Sequence, residues 1–288
     1  MTKPRPKKNI WITGAGGLIG HHLVQVAPQF APGWRVLGLT RQKLDLLDFA
    51  AVRRSFVEDK PAAIIHCAAL SKSPDCQANP QLAHKINVEV TALLAEQAAR
   101  IPLVLFSSDM VFDGRKGHYV ESDPVNPLSV YGETKAAAER LVLGNAGHTV
   151  VRTSLNGGTS PTGDRGFNEL LRREWSAGKV PKLFRDEFRC PIPARATARA
   201  TWELLNHGAT GLYHVAGAER LSRAQIGAAL AARCEGLPPK FEAVSLKEYH
   251  GAPRPPDTSL DCGKAQKLLS FPLPGLTEWL AANPDEEF

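Results

Sequence analysis

Near the start of the chain a short apolar run, a glycine cluster and a helical pattern follow one another, and this succession constrains the fold more than any other feature. Asn9-Ile-Trp-Ile-Thr13 reads as a buried strand, and the Gly14 to Gly20 segment then opens a helix through about Ala27. Glycines at 14, 17 and 20 let backbone approach backbone at the turn, and the helix start behind them offers amides and a favourable dipole to an anion. The turn is not literally GxGxxG, and tight strand-to-helix turns use glycine for steric reasons as well. Its place directly after the first strand favours a pyrophosphate-binding turn.

The alternation continues. Arg35 to Thr40, Ala62 to Ala69, Leu103 to Ser108 and His148 to Ser154 read as strands; Ala51 to Val57, a long amphipathic stretch from His84 to Arg100, and the segment around Tyr131 read as helices. Strands alternating with helices predict an α/β fold, a doubly wound parallel Rossmann sheet covered on both faces. The regularity fails in the Gly-rich stretch from Asn156 to Gly166. Helices are expected at Phe167 to Ser176, Ala196 to Leu205, Arg223 to Arg233 and Leu276 to Ala282, with a late sheet strand at Gly211 to Val215. The expected division is a dinucleotide-binding domain at 1–155 and about 188–220, with a smaller, partly C-terminal substrate-binding domain at about 156–187 and 221–288.

Composition excludes several classes. At 288 residues and 43% hydrophobic content the chain can bury a real core. Ala62 to Leu70, the longest nearly uncharged apolar run, is far short of the roughly 20 residues a membrane span needs. Five scattered cysteines (Cys67, Cys76, Cys190, Cys234, Cys262) without a CxxC pair suggest neither a disulfide framework nor a metal site, and most are expected to be packing residues. A soluble, cytoplasmic protein is expected. Of the net charge of +6, Lys3, Arg5, Lys7 and Lys8 supply four, leaving 6 − 4 = +2 for the body, so nucleic-acid binding is not expected.

The second strand ends at Gly38-Leu39-Thr40 and is followed by Arg41 and Lys43, where an NAD-selective protein would usually present a carboxylate to the ribose. These cations could pair with a 2′-phosphate, so NADP(H) is preferred over NAD(H). Asp45, ahead of Leu46, could accept from the adenine amino group, and Asp48 reads as a helix N-cap before Phe49.

Beyond the serine pair that ends Leu103-Val-Leu-Phe-Ser-Ser108 the chain reads Tyr131-Gly-Glu-Thr-Lys135. A tyrosine and a lysine four apart share one helix face, where the ammonium can lower the phenol's pKa from its ordinary value of about 10. Together with the glycine turn this order resembles the extended short-chain dehydrogenase/reductase superfamily. Ser107-Ser-Asp-Met-Val-Phe-Asp-Gly114, Glu121 to Lys135, Arg152-Thr-Ser154 and Arg254-Pro-Pro-Asp-Thr-Ser-Leu-Asp261 resemble, more narrowly, the dTDP-4-dehydrorhamnose reductase family. The resemblance implies Ser108 as catalytic serine, Tyr131 as proton donor and Lys135 as ribose-binding lysine. It implies cofactor contacts at Gly14, Gly17, Leu18, Ile19, Gly20, Arg41, Asp45, Leu46, Ala68, Ala69 and Asn87, the last helping to organise a proton-relay water. Substrate contacts are expected at Ser71, Asp109, Asn156 and Arg254, the last as a candidate for the substrate's pyrophosphate or as a structural turn residue.

Departures from the family fall where a sugar would be read: Met110 replaces a usual tyrosine, Leu155 a usual tryptophan, and Ser73-Pro-Asp-Cys-Gln77 a segment that normally carries carboxylates. The expected reaction is NADPH-dependent reduction of a nucleotide-linked 4-keto-6-deoxysugar, in a chain that could form a homodimer. An epimerase on the same scaffold, and a non-catalytic regulatory subunit like the partner of methionine adenosyltransferase, are the alternatives. A dehydratase would need further acid/base carboxylates beside Ser108, where Met110 stands.

Overall fold

The structure is a computed structural model and describes residues 7–234 and 240–288. Lys3 and Arg5 of the basic leader lie outside the described residues. In chain order the first elements are β1 (Lys8–Thr13), α1 (Leu18–Phe30), β2 (Trp34–Leu39), α2 (Phe49–Asp59), β3 (Ala63–His66), α3 (Ser73–Ala78), α4 (Pro80–His84), α5 (Val90–Gln97), β4 (Leu103–Ser108), α6 (Val130–Leu143) and β5 (Thr149–Thr153). There follow β6 (Asn156–Gly157), α7 (Phe167–Ser176), β7 (Lys182–Phe184), β8 (Phe188–Arg189), β9 (Ile192–Pro193), α8 (Ala194–Asn206), β10 (Gly211–Val215), β11 (Leu221–Ser222), α9 (Arg223–Ala231), β12 (Glu242–Val244), α10 (Gly263–Gln266) and α11 (Leu276–Ala282).

Six parallel strands form the central sheet in the order β10, β5, β4, β3, β1, β2. Alternate side chains divide between its faces, as strand geometry requires. Ile10, Ile12, Ile65, Val104, Phe106 and Val151 pack with Leu23 and Val26 of α1 and Trp202 of α8. Trp11, Ile64, Leu103, Leu105 and Val150 pack on the other face with Val52 of α2, Leu93 and Leu94 of α5, and Ala138 and Val142 of α6. This double coverage explains why the strands read as unbroken apolar runs. The chain leaves β1 toward β2 on one side and returns to β3 on the other, so the strand order reverses between β1 and β3, and a crevice opens above their C-terminal ends.

Beyond β5 a separate apolar cluster gathers Leu171 and Trp175 of α7, Ile226 and Leu230 of α9, Leu276 and Leu280 of α11, and Phe288. Three two-stranded pairs, β6 with β9, β8 with β11 and β7 with β12, tie this region together.

Two sequence expectations change. The third strand is shorter than Ala62 to Ala69, ending at His66, because the chain must turn away beside the glycine loop. The long helix expected from His84 to Arg100 begins earlier, at Pro80, and is interrupted by a π turn, Lys85–Glu89, between α4 and α5. Asp48 does cap α2, its side chain accepting from the Ala51 amide at 2.9 Å. No helix among the described residues is long and apolar enough to cross a membrane. All five cysteines are free, and burial pushes the thiols of Cys76 and Cys190 up to about 11 and that of Cys262 up to about 12, so these three stay protonated near neutral pH.

Candidate active site

The glycine turn is built on backbone contact. Gly14 has φ +69°, and a Cβ there would lie 2.6 Å from the Ala68 amide nitrogen beyond β3. A Cβ at Gly20 would come within 2.3 Å of the Gly14 carbonyl oxygen. Gly17 donates to the Gly14 carbonyl at 2.9 Å and stands at the N-cap of α1 without a side chain to cap it. The first-turn amides of α1, including Leu18 and Ile19, are therefore left for an outside acceptor, and no acidic side chain in that turn competes for them. A dinucleotide's pyrophosphate fits this cradle.

At the end of β2 the two cations behave differently. Lys43 folds back to donate to the Gly38 carbonyl at 3.2 Å, whereas the exposed Arg41 makes no hydrogen bond within the described residues. Asp45 spends Oδ1 on the Leu47 amide at 3.0 Å, a local turn that fixes Leu46 beside it. Of the two cations, Arg41 is the one available to a ligand there.

Ser108 ends β4, and α6 carries Tyr131 and Lys135 across to it; the Ser129 hydroxyl caps that helix at the Gly132 amide. Gly132 is required because a Cβ would strike the Met110 carbonyl oxygen at 2.3 Å, so α6 meets the chain just beyond Ser108 backbone to backbone. The Ser108 hydroxyl, which lies beside the Tyr131 phenol, donates to Asp109 Oδ1 at 3.1 Å and accepts the Met110 amide at 3.2 Å. The expectation that Lys135 lowers the phenol's pKa is not met. Burial, the largest influence, raises it, the neighbouring Ser108 hydroxyl opposes that, and the nearby Asp109 carboxylate raises it further. Lys135 is itself buried, and its ammonium is pushed down to about 8 by that burial, against Glu139 and Cys67, which hold it up.

Asn87 sits in the π turn and is buried. Its Oδ1 accepts the Leu70 amide at 2.8 Å, and its Nδ2 donates to the Leu70 carbonyl at 3.1 Å and to the Thr134 hydroxyl at 3.0 Å. The side chain thus fastens the loop after β3 to the Tyr131 helix. A residue that the sequence reading missed, His66, lies under the turn, with Nδ1 2.7 Å from the Thr13 hydroxyl and Nε2 3.2 Å from that of Thr91. Thr13 in turn accepts from the Ala68 amide at 3.4 Å. Gly14, Ala68, Asn87, Ser108, Tyr131 and Lys135 are in this way brought to one end of the sheet.

The expected substrate residues are more dispersed. Ser71 is exposed on the loop beyond Ala69. Asp109 is buried and saturated: Oδ1 accepts from Ser108 at 3.1 Å, Oδ2 from Ser154 at 2.8 Å and Thr258 at 2.9 Å, and Arg189 lies 3.6 Å away. Asn156 donates to Thr153 and to the Ser154 carbonyl, and its buried Oδ1 has no partner among the described residues. Arg254 is held by Glu187 through two bonds of 2.8 Å, and the same buried carboxylate takes Arg189 at 3.0 Å and Arg223 at 3.1 Å. Glu187, Arg189 and Arg223 carried no recognisable signal in the sequence, because the cluster forms only when β8, α9 and the late Arg254 segment converge. Through Arg189, which also touches the Met110 sulfur at 3.6 Å, the cluster connects to Asp109 and so to Ser108. Two open clefts of about 590 and 310 Å³, one lined by Arg172, Arg173 and Glu287 and the other by His21, His22 and Trp279, share no residue with this site.

Residues 8–286 match the family described as the RmlD substrate binding domain. The chain is 30% identical to the methionine adenosyltransferase 2 subunit beta of Xenopus laevis, over 91% of this chain and 83% of that protein. The crystal structure of a hypothetical dTDP-4-dehydrorhamnose reductase from Sulfolobus tokodaii is also 30% identical, superimposes with a TM-score of 0.82, and aligns over 93% of this chain and 97% of that one. The dTDP-4-dehydrorhamnose reductase of Bacillus anthracis, solved in complex with NADP, shares the fold with a TM-score of 0.87 at 23% identity, over 96% of this chain and 98% of that one. The glycine cradle, the Ser108, Tyr131 and Lys135 arrangement and the match along nearly the whole chain lead to one assignment: the protein belongs to the RmlD substrate binding domain family of the extended short-chain dehydrogenase/reductases, a class of NAD(P)-dependent oxidoreductases.

Proposed function

We propose that the protein reduces the keto group of a nucleotide-linked 4-keto-6-deoxysugar with NADPH. The observation that carries this reading is the state of Tyr131. Its phenol lies beside Ser108 and, raised by burial and further by the Asp109 carboxylate, stays protonated at ordinary pH, as a donor to a developing alkoxide must. A nicotinamide dinucleotide, when bound, supplies the hydride; Gly14 to Gly20 would hold its pyrophosphate, Lys135 its ribose and Arg41 a 2′-phosphate. Ser108 hydrogen-bonds the carbonyl oxygen of the substrate, and Tyr131 delivers its proton to the same atom.

Arg254 is the residue we assign to the substrate's pyrophosphate, with Arg223 beside it on Glu187. The region around α7, α9 and α11 would then be the sugar-nucleotide side of the cleft and the six-stranded sheet the cofactor side. Dehydration is disfavoured because Asp109 is tied by Ser108, Ser154 and Thr258, and the next residue, Met110, carries no proton.

The likeness to a methionine adenosyltransferase subunit favours a second reading, a dinucleotide-binding regulatory subunit. One experiment separates the two. With a dTDP-linked 4-keto-6-deoxysugar the protein is expected to consume NADPH, and Tyr131→Phe to lower kcat by about 10²–10⁴-fold with NADPH affinity retained. No NADPH consumption, with NADPH bound, would support the regulatory reading instead.

A further inference from the structure

Tyr131, Lys135 and Glu139 recur every four residues along α6 and so form one stripe of that helix. The last of them is the most tightly held. Glu139 is 3% exposed; it accepts the Ser107 hydroxyl at 2.5 Å and Arg152 through Nε at 2.9 Å and Nη2 at 2.7 Å. Ser107 and Arg152 are register partners on β4 and β5, so the carboxylate bridges two adjacent strands from the helix that crosses them. Arg152 is fixed from behind. The Phe112 ring lies 4.9 Å from its guanidinium carbon, and His214 Nε2 accepts from its Nη1 at 3.3 Å while His214 Nδ1 faces the carbonyls of Tyr119 and Asp261.

We propose that Glu139 is a positioning residue for Lys135, a carboxylate pinned by Ser107 and Arg152 one helical turn beyond the lysine so that its charge faces the ammonium. The inference rests on the reading of Lys135 as a cofactor-binding group. The residues around Lys135 leave Glu139 as its principal counter-charge. From its own helix come Glu139 and the neutral Tyr131; beyond β3 stands the Cys67 thiol, kept protonated by burial; on β3 stands His66, held neutral by burial and by Lys135 itself. Asp109, past β4, acts on Tyr131. Burial alone drives the ammonium toward neutrality, and Glu139 is the strongest influence against it. Arg152 shares the same carboxylate and offsets part of the charge that Glu139 presents to Lys135.

The test is NADPH affinity, followed by fluorescence titration as a function of pH, for the full chain and for Glu139→Gln, Arg152→Gln and Ser107→Ala. Affinity should fall on the alkaline side as Lys135 loses its proton. In Glu139→Gln that limb should move to lower pH by about one unit, and in Arg152→Gln to higher pH by a similar amount. Ser107→Ala, which removes a hydrogen bond and no charge, should leave it in place. Should one charge variant fail to fold, the other still carries the test through the sign of its shift. Limbs that do not move while melting temperatures fall would overturn the inference and leave a purely structural pin. Failure of the unaltered chain to bind NADPH at any pH would overturn the cofactor reading and this inference with it.

Discussion

Thr91 donates its hydroxyl proton to the Asn87 carbonyl at 2.7 Å, and that bond assigns the protonation of His66. With its only proton spent, Thr91 can meet His66 Nε2 only as an acceptor, so Nε2 carries hydrogen, Nδ1 accepts from Thr13, and the ring is neutral. Burial, with Lys135 as the lesser cause, lowers His66 to about 3 from 6.5. In that window the unfolded chain binds a proton that the folded chain refuses, so stability falls as pH falls from 6.5 toward 3, by about 1.4 kcal/mol per pH unit. His214, lowered to about 4 by burial and Arg152, acts in the same sense. Denaturant unfolding of His66→Gln, which keeps a donor and an acceptor, should show a pH slope shallower by about one proton.

Gly20→Ala should damage the cradle. The new methyl would meet the Gly14 carbonyl oxygen at 2.3 Å and push α1 off the turn. A stability loss of about 1–3 kcal/mol and a weakening of NADPH binding of at least about tenfold are expected by thermal melting and titration. Gly33→Ala, where a Cβ meets nothing within 4 Å, is the matched control and should leave both unchanged.

Arg41→Ala should weaken NADPH binding by about 10- to 100-fold and leave NADH binding alone, whereas Lys43→Ala, whose ammonium is engaged with the Gly38 carbonyl, should have a smaller effect. Equal loss of both cofactors in Arg41→Ala would remove the basis for NADP selectivity.

Glu187 is the one carboxylate on which Arg254, Arg223 and Arg189 all converge. Burial works to raise its pKa, but Arg223, Arg189 and Arg254 together hold it down at about 2. As a depressed carboxylate, its contribution to stability is present above about 4.5 and is lost as pH falls toward 2. Glu187→Gln leaves three guanidiniums facing one another and should destabilise the fold by about 3–5 kcal/mol, read as a lower denaturation midpoint. Arg254→Ala, at the half-buried edge of the cluster, should instead raise KM for the sugar nucleotide by about tenfold or more while NADPH affinity holds.

The parallel sheet was legible because each of its strands is a short apolar run followed by a turn signal, and β4, α7, β10 and α11 fall on the residues expected. The glycine turn and the Tyr131 and Lys135 pair were legible because their chemistry is local: a few residues on one turn or one helix face. Glu187 with its arginines and the His66 chain were not, since their partners lie far apart in sequence and meet only after folding. Glu139 stood between these cases. Its spacing from Lys135 was visible, but only the pairing of Ser107 with Arg152 shows what buries it. The error over Tyr131 has the same origin: helix spacing puts the lysine nearby, while the burial that outweighs it belongs to the tertiary structure.

The π turn at Lys85–Glu89 makes the approach to the cleft sensitive to length. A π turn holds one more residue than the α-helical turn it interrupts, and each residue of an α-helix advances the chain by about 100°. Excising a single residue there would let α4 and α5 fuse into one regular rod. Because the π turn absorbs its extra residue within one turn, the helix on either side would keep nearly the same facing. Asn87, seated within that turn, would lose its simultaneous reach to Leu70 and Thr134. A one-codon deletion in this stretch would therefore act through the Asn87 side chain seated in the turn, unfastening the loop after β3 from the Tyr131 helix while the helix itself became more regular.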